Sequence, residues 1–217
     1  MKIILSDTNH SVIKAWQLYF KDCQDVEIFA GSIFETGCNA IVSPANSFGF
    51  MDGGLDLAIS NYLGWHVQAI LQAKIKQKYH GELLVGQAEI VETGHPKIPY
   101  LISAPTMRVP LILNTTVNVY LAMRAVLLLI KYCKLDNGTP VKEVVRAVSI
   151  SGLGTGVGKV PADICARQMR VAYDEVILDK VSFPSSWVDA QQKNQLLYTQ
   201  QTRDLQYYQN LDWDKTE

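Results

Sequence analysis

Two stretches of this chain have residue types and spacing suited to gripping an anion through the backbone. The first, Ser43 to Ser60, reads SPANSFGFMDGGLDLAIS and follows directly on the apolar run NAIV. The second, Ser151 to Pro161, reads SGLGTGVGKVP, with glycines at 152, 154, 156 and 158, and follows VVRAVSI. Each lies between a strand-like run and a helical pattern. Backbone N–H groups left unpaired there, together with the helix dipole, favour negative charge. Two such loops at one sheet edge are placed to hold a diphosphate from both sides, because ligand crevices in α/β sheets lie at the carboxyl ends of the strands.

The familiar phosphate fingerprints do not account for either loop. A Walker A loop needs glycine five residues before Gly158-Lys159, where Leu153 stands, and a hydroxyl residue where Val160 stands. A dinucleotide fingerprint needs glycine at 157, but the glycines fall at 156 and 158. The plain alternative is that the glycines only permit tight turns. That reading suits one loop better than a matched pair.

The elements that must position these loops follow from periodicity. Strands are expected at 2–5, 26–30, 40–42, 89–92, 100–103 and 144–150. Helices are expected after a cap at Asn9 or Ser11, then over 55–62, 65–79, 115–134 and 162–178. Val12, Trp16, Phe20 and Cys23 form the apolar stripe of the first helix. This alternation predicts an α/β fold, a sheet covered by helices on both faces. After Lys180 the composition shifts to glutamine with Trp187, Tyr207, Tyr208 and Trp213. Ala190, Leu197, Leu205 and Tyr208 mark one face of an expected peripheral amphipathic helix over 181–217, docking on the domain or on a protein partner.

Bulk properties narrow the function. The 217 residues suit one domain, 48% are apolar, and the net charge of −1 argues against a phosphate-neutralising nucleic-acid surface. Cys23, Cys38, Cys133 and Cys165 form no metal-ligand spacing and are expected as buried thiols. No cofactor or metal is called for. The start MKIILSDTNH lacks a leader-like apolar region, and the stretch 117–133 is interrupted by charge, so a cytoplasmic protein with no membrane contact is expected. His10, His66, His80 and His95 have no ligand spacing.

The order NAIVSPAN, DGGLD and GLGTGVGKVP closely resembles the macro domain family of ADP-ribose-binding and Appr-1''-p-processing domains. The resemblance covers roughly 26–178, with 1–25 an added strand and helix and 181–217 an extension. It implies a three-layer α/β/α sandwich with a mixed central sheet. It also implies that Asn46 lies beside the distal ribose and that Asp56 acts on a water there. Gly53, Gly54 and Leu55 would form the first diphosphate loop, and Gly154, Thr155, Gly156, Val157 and Gly158 the second. Ser32, Ile33 and Ala45 would complete the ligand lining.

Three positions depart from the family pattern. Ser32 stands where an aspartate accepts from the adenine amino group, Gly158 where an aromatic packs on the ribose, and Ser60 where some hydrolytic members have histidine. Phe48 or Phe50 is the expected aromatic substitute, and Arg108 a candidate partner for a negative ligand. Taken alone, Asn46 also suits an Asx turn and Asp56 a helix-dipole acid. The expected function is ADP-ribose binding, with hydrolysis of an ADP-ribosyl linkage as its extension. The alternatives are a non-catalytic reader of ADP-ribose or a related nucleotide, and an interaction protein working through its tail beside a vestigial cleft.

Overall fold

The computed structural model describes residues 1–201. Six strands form one sheet in the order β2-β1-β6-β3-β5-β4. They are β1 (Lys2–Asp7), β2 (Val26–Ala30), β3 (Ala40–Ser43), β4 (Glu89–Glu92), β5 (Tyr100–Ser103) and β6 (Ala147–Ile150). All neighbouring pairs are parallel except β4–β5, so the sheet is mixed.

Helices cover both faces. They are α1 (His10–Tyr19), α2 (Gly54–Leu63), α3 (His66–Lys78), α4 (Asn118–Tyr132), α5 (Val141–Val144), α6 (Ala162–Val176) and α7 (Trp187–Leu196). Alternation along each strand divides the apolar residues between the faces. Ile3, Leu5, Val42 and Ile102 pack with Trp16 of α1, Val126 of α4 and Met169 of α6. Ile4, Ile41 and Leu101 pack with Ile59 of α2 and Leu71 of α3. The three-layer α/β/α sandwich is therefore as expected.

Several boundaries move for local reasons. Asn9, not Ser11, caps α1, its side chain accepting the Ser11 N–H at 2.9 Å. The run 144–150 divides, because Val144 still belongs to α5 and pairing begins only at Ala147. There Asn39 Oδ1 accepts the N–H groups of Arg146 and Ala147. The thiol expectation fails in half: Cys38 and Cys165 are buried, whereas Cys23 is half-buried and Cys133 exposed, all four being free. In the extension, α7 is capped by Ser186, buries Gln195, and leaves Trp187 exposed; Leu197 follows it, buried. Leu205, Tyr207, Tyr208 and Trp213 lie outside the described residues. Among those described, no helix is long and apolar enough to cross a membrane.

Candidate functional site

The parallel strands all end at one edge, and the loops leaving them enclose a cleft of about 750 Å³. The end of β1 contributes Asp7 and the residue after it Thr8, and the residues after β2 contribute Gly31 to Phe34. Pro44 to Asn46 follow β3, Thr106 and Met107 follow β5, and most of Ser151 to Lys159 follows β6. The edge strand β4, running the other way, contributes nothing. Of the residues named as site candidates from the sequence, Ser32, Ile33, Ala45, Asn46, Phe50, Gly53, Gly54, Leu55, Asp56, Gly154, Thr155, Gly156, Val157 and Gly158 line this one cleft, whereas Phe48 and Arg108 do not.

The two glycine loops face the cleft with unused donors. Among the described residues, the N–H groups of Gly53, Gly54, Leu55 and Asp56 donate to nothing in the chain, and neither do those of Gly156, Val157 and Gly158. Gly54 has φ of 55°, so the turn into α2 needs a residue without Cβ strain even though the space beside it is open. Gly158 is required for a different reason. A Cβ there would sit 2.5 Å from the Gly154 carbonyl oxygen and 2.9 Å from Leu113 Cδ1. No aromatic ring, or any side chain, fits this position with the loop as built. Phe50 instead lines the cleft with about half its surface exposed, while Phe48 lies beneath the Arg108 guanidinium.

Asn46 is absorbed into its own loop. Its Oδ1 accepts the N–H groups of Phe48 and Phe50, and its Nδ2 donates to the Phe50 carbonyl. This is the Asx-type turn that the residue type allows, and it leaves one amide N–H for a ligand. Ser32 caps the 3₁₀ turn at Ile33–Glu35, accepting the Phe34 N–H at 3.4 Å. Ser60 is buried outside the cleft, donating to the Met51 carbonyl at 2.8 Å and so bracing the first loop. Arg108 is not a ligand group: Glu82 holds its guanidinium at 2.7 Å, and Lys159 is the cation lining the cleft.

Asp56 is the most unusual group of the site. It lies in the first turn of α2, only 9% exposed, and accepts from Ser43 Oγ at 2.5 Å. Burial pushes its carboxyl up to about 6; the Ser43 hydrogen bond works against that rise and the Asp52 charge adds to it. A carboxyl poised there changes protonation just below neutrality, the range suited to a general base.

The sequence reading missed Asp7. Its Oδ2 accepts the Gly152 N–H at 3.0 Å and its Oδ1 the Asn9 N–H at 2.8 Å. The end of the first strand thereby clamps the second glycine loop. The only local signal was an aspartate at a strand end, which also describes many helix-capping acids. Replacing Asp7 with alanine is expected to cost about 1–3 kcal/mol in urea unfolding, the scale of a charge-assisted hydrogen bond left without its acceptor. The Gly152 amide should also exchange faster with solvent. Unchanged exchange at Gly152 would show that the clamp is unimportant.

The family model described as Macro domain matches residues 42–169, which contain most of this cleft. The chain belongs to the macro domain family. An uncharacterised protein of Aquifex aeolicus (strain VF5) is 35% identical over 147 residues, covering 67% of this chain and 78% of that one. The macrodomain of Mycobacterium tuberculosis DarG has a similar fold, with a TM-score of 0.54 at 17% identity over 67% of this chain and 87% of its own. The Oceanobacillus iheyensis macrodomain with ADP gives a TM-score of 0.52 at 24% identity, over 65% and 72% of the two chains. A variant of that macrodomain with ADPR gives 0.52 at 23%, over 65% and 73%.

Proposed function

We propose that this macro domain binds ADP-ribose in the cleft at the strand ends. The observation that carries the reading is the pair of glycine loops facing one cavity with unpaired N–H groups. Their donors match the oxygens of a diphosphate, each charge-assisted bond contributing about 1.5–3 kcal/mol. The exposed ring of Phe50 and the remaining N–H of Asn46 suit a ribose beyond one phosphate. ADP and ADPR in the Oceanobacillus relative are consistent with this ligand class.

Calorimetric titration with ADP-ribose, ADP and AMP tests the reading. ADP-ribose is expected to bind at micromolar concentration, ADP more weakly and AMP hardly at all. Equal affinity for AMP and ADP-ribose would remove the diphosphate from the interaction.

A second reading rests on Asp56. A buried carboxyl with a pKa of about 6, lining the same cleft as Asn46, suits activation of water at the distal ribose. The protein would then cleave an ADP-ribosyl linkage, with the loop amides anchoring the diphosphate while Asp56 orients the attacking water. Release of ADP-ribose from an ADP-ribosylated protein, assayed beside a working hydrolase, decides between reader and enzyme.

A further inference from the structure

Among the described residues, nothing covers an apolar rim beside the cleft. Residues 108–113 (RVPLIL) cross from one glycine loop to the other: Ser47 N–H donates to the Arg108 carbonyl, and Leu113 N–H to the Gly158 carbonyl at 2.7 Å. Between these ties Pro110 turns toward the cleft, while Val109, Leu111 and Ile112 stand 46%, 41% and 63% exposed. Phe50 on the first loop and Val157 on the second, 52% and 57% exposed, continue the same apolar margin. A cluster of large apolar side chains around a binding cleft marks an interaction surface rather than ordinary scattered exposure.

We propose that this rim holds the polypeptide to which the ADP-ribosyl group is attached, contacting apolar residues that flank the modified side chain. The proposal rests on the ADP-ribose reading of the cleft. Continuity with the cleft identifies the occupant: Phe50, Pro110 and Val157 line the cleft itself, so a polypeptide carrying the ligand would lie beside the rim. Charge identifies its class. Residues 109–112 carry none, Arg108 is already paired with Glu82, and Lys159 is the single cation among the residues lining the cleft, so the rim offers little to a nucleic-acid backbone. A patch this small is too weak to capture a free protein, but tethering through the ligand makes its contact intramolecular.

The test compares four probes by calorimetry: free ADP-ribose, a peptide with one ADP-ribosyl group between leucine and valine residues, the same peptide with glycine and serine flanks, and an ADP-ribosylated oligonucleotide. The apolar-flanked peptide is expected to bind about 10-fold more tightly than free ADP-ribose, the scale of partly burying two or three aliphatic side chains. The other two conjugates should gain little. In the double variant Leu111→Ser/Ile112→Ser the advantage disappears, while affinity for free ADP-ribose and thermal stability stay as in the wild type. Equal wild-type affinity for the two peptides, or preference for the oligonucleotide, would overturn the proposal. So would a wild-type dimer that the double variant dissociates, since the rim would then be a contact between copies. Failure of free ADP-ribose itself to bind would instead refute the ligand reading on which the rim proposal stands.

Discussion

Replacing Gly158 with alanine is expected to weaken ADP-ribose binding by about 100-fold or more. The added Cβ meets the Gly154 carbonyl at 2.5 Å and the Leu113 side chain at 2.9 Å, and the first of these neighbours is backbone. A flexible side chain would swing aside, but a carbonyl moves only with its loop. That carbonyl also accepts the Val160 N–H, and the Gly158 carbonyl accepts that of Leu113, so the strain spreads through both ends of the turn. Losing alignment of two donors to a charged diphosphate costs about 3–6 kcal/mol, which sets the expected loss of affinity. The overpacked loop should also lose about 1–3 kcal/mol of stability. Gly156→Ala is the matched control: nothing lies within 4 Å of its added Cβ, so its unfolding curve should follow the wild type. Wild-type affinity in Gly158→Ala would mean that the second loop does not hold the ligand.

Asp56→Asn should stabilise the folded protein at alkaline pH while removing any hydrolytic activity. A carboxyl raised in the folded state from about 3.8 to about 6 binds its proton more tightly there than in the unfolded chain. Its stabilising contribution is complete below the unfolded value and is lost as pH rises through about 6. Above that, the fold carries a buried carboxylate with Ser43 as its hydrogen-bond donor. The rise corresponds to about 3 kcal/mol. Asparagine does not titrate. The difference between variant and wild type should therefore shift by about 2 kcal/mol in the variant's favour between pH 4, where the unfolded carboxyl is already partly ionised, and pH 8, read by urea unfolding at each pH. Parallel stability curves would mean that Asp56 titrates normally. If the protein hydrolyses ADP-ribosyl bonds, the same variant should lose about 100- to 10,000-fold in turnover, the usual contribution of a positioned base. Affinity for ADP-ribose should change far less. A gain in stability coupled to a loss of activity is the pattern expected where a strained group has been kept for chemistry.

Much of this was legible in the sequence because it is local. β2, β4 and β5 fall at their expected bounds, since short apolar runs closed by turn residues specify a strand without help from elsewhere. Both glycine loops and their order along the chain were readable, and so was the family. Gly54 needs glycine for its own backbone angle, which is again a local matter.

What tertiary structure decided depends on residues far apart in the chain. Gly158 needs glycine because the Gly154 carbonyl folds back on it, a contact created by the closed turn. Asp7 reaches Gly152 only because β1 pairs with β6 in a register that aligns Leu5 with Ile150. Arg108 resembled an anion ligand until Glu82, brought beside it by the fold, neutralised it. Asp56 is an ordinary first-turn acid by sequence. Its raised pKa comes from being packed over the end of β3 beside Ser43, and burial of that kind belongs to the assembled sheet and helix, not to the residue.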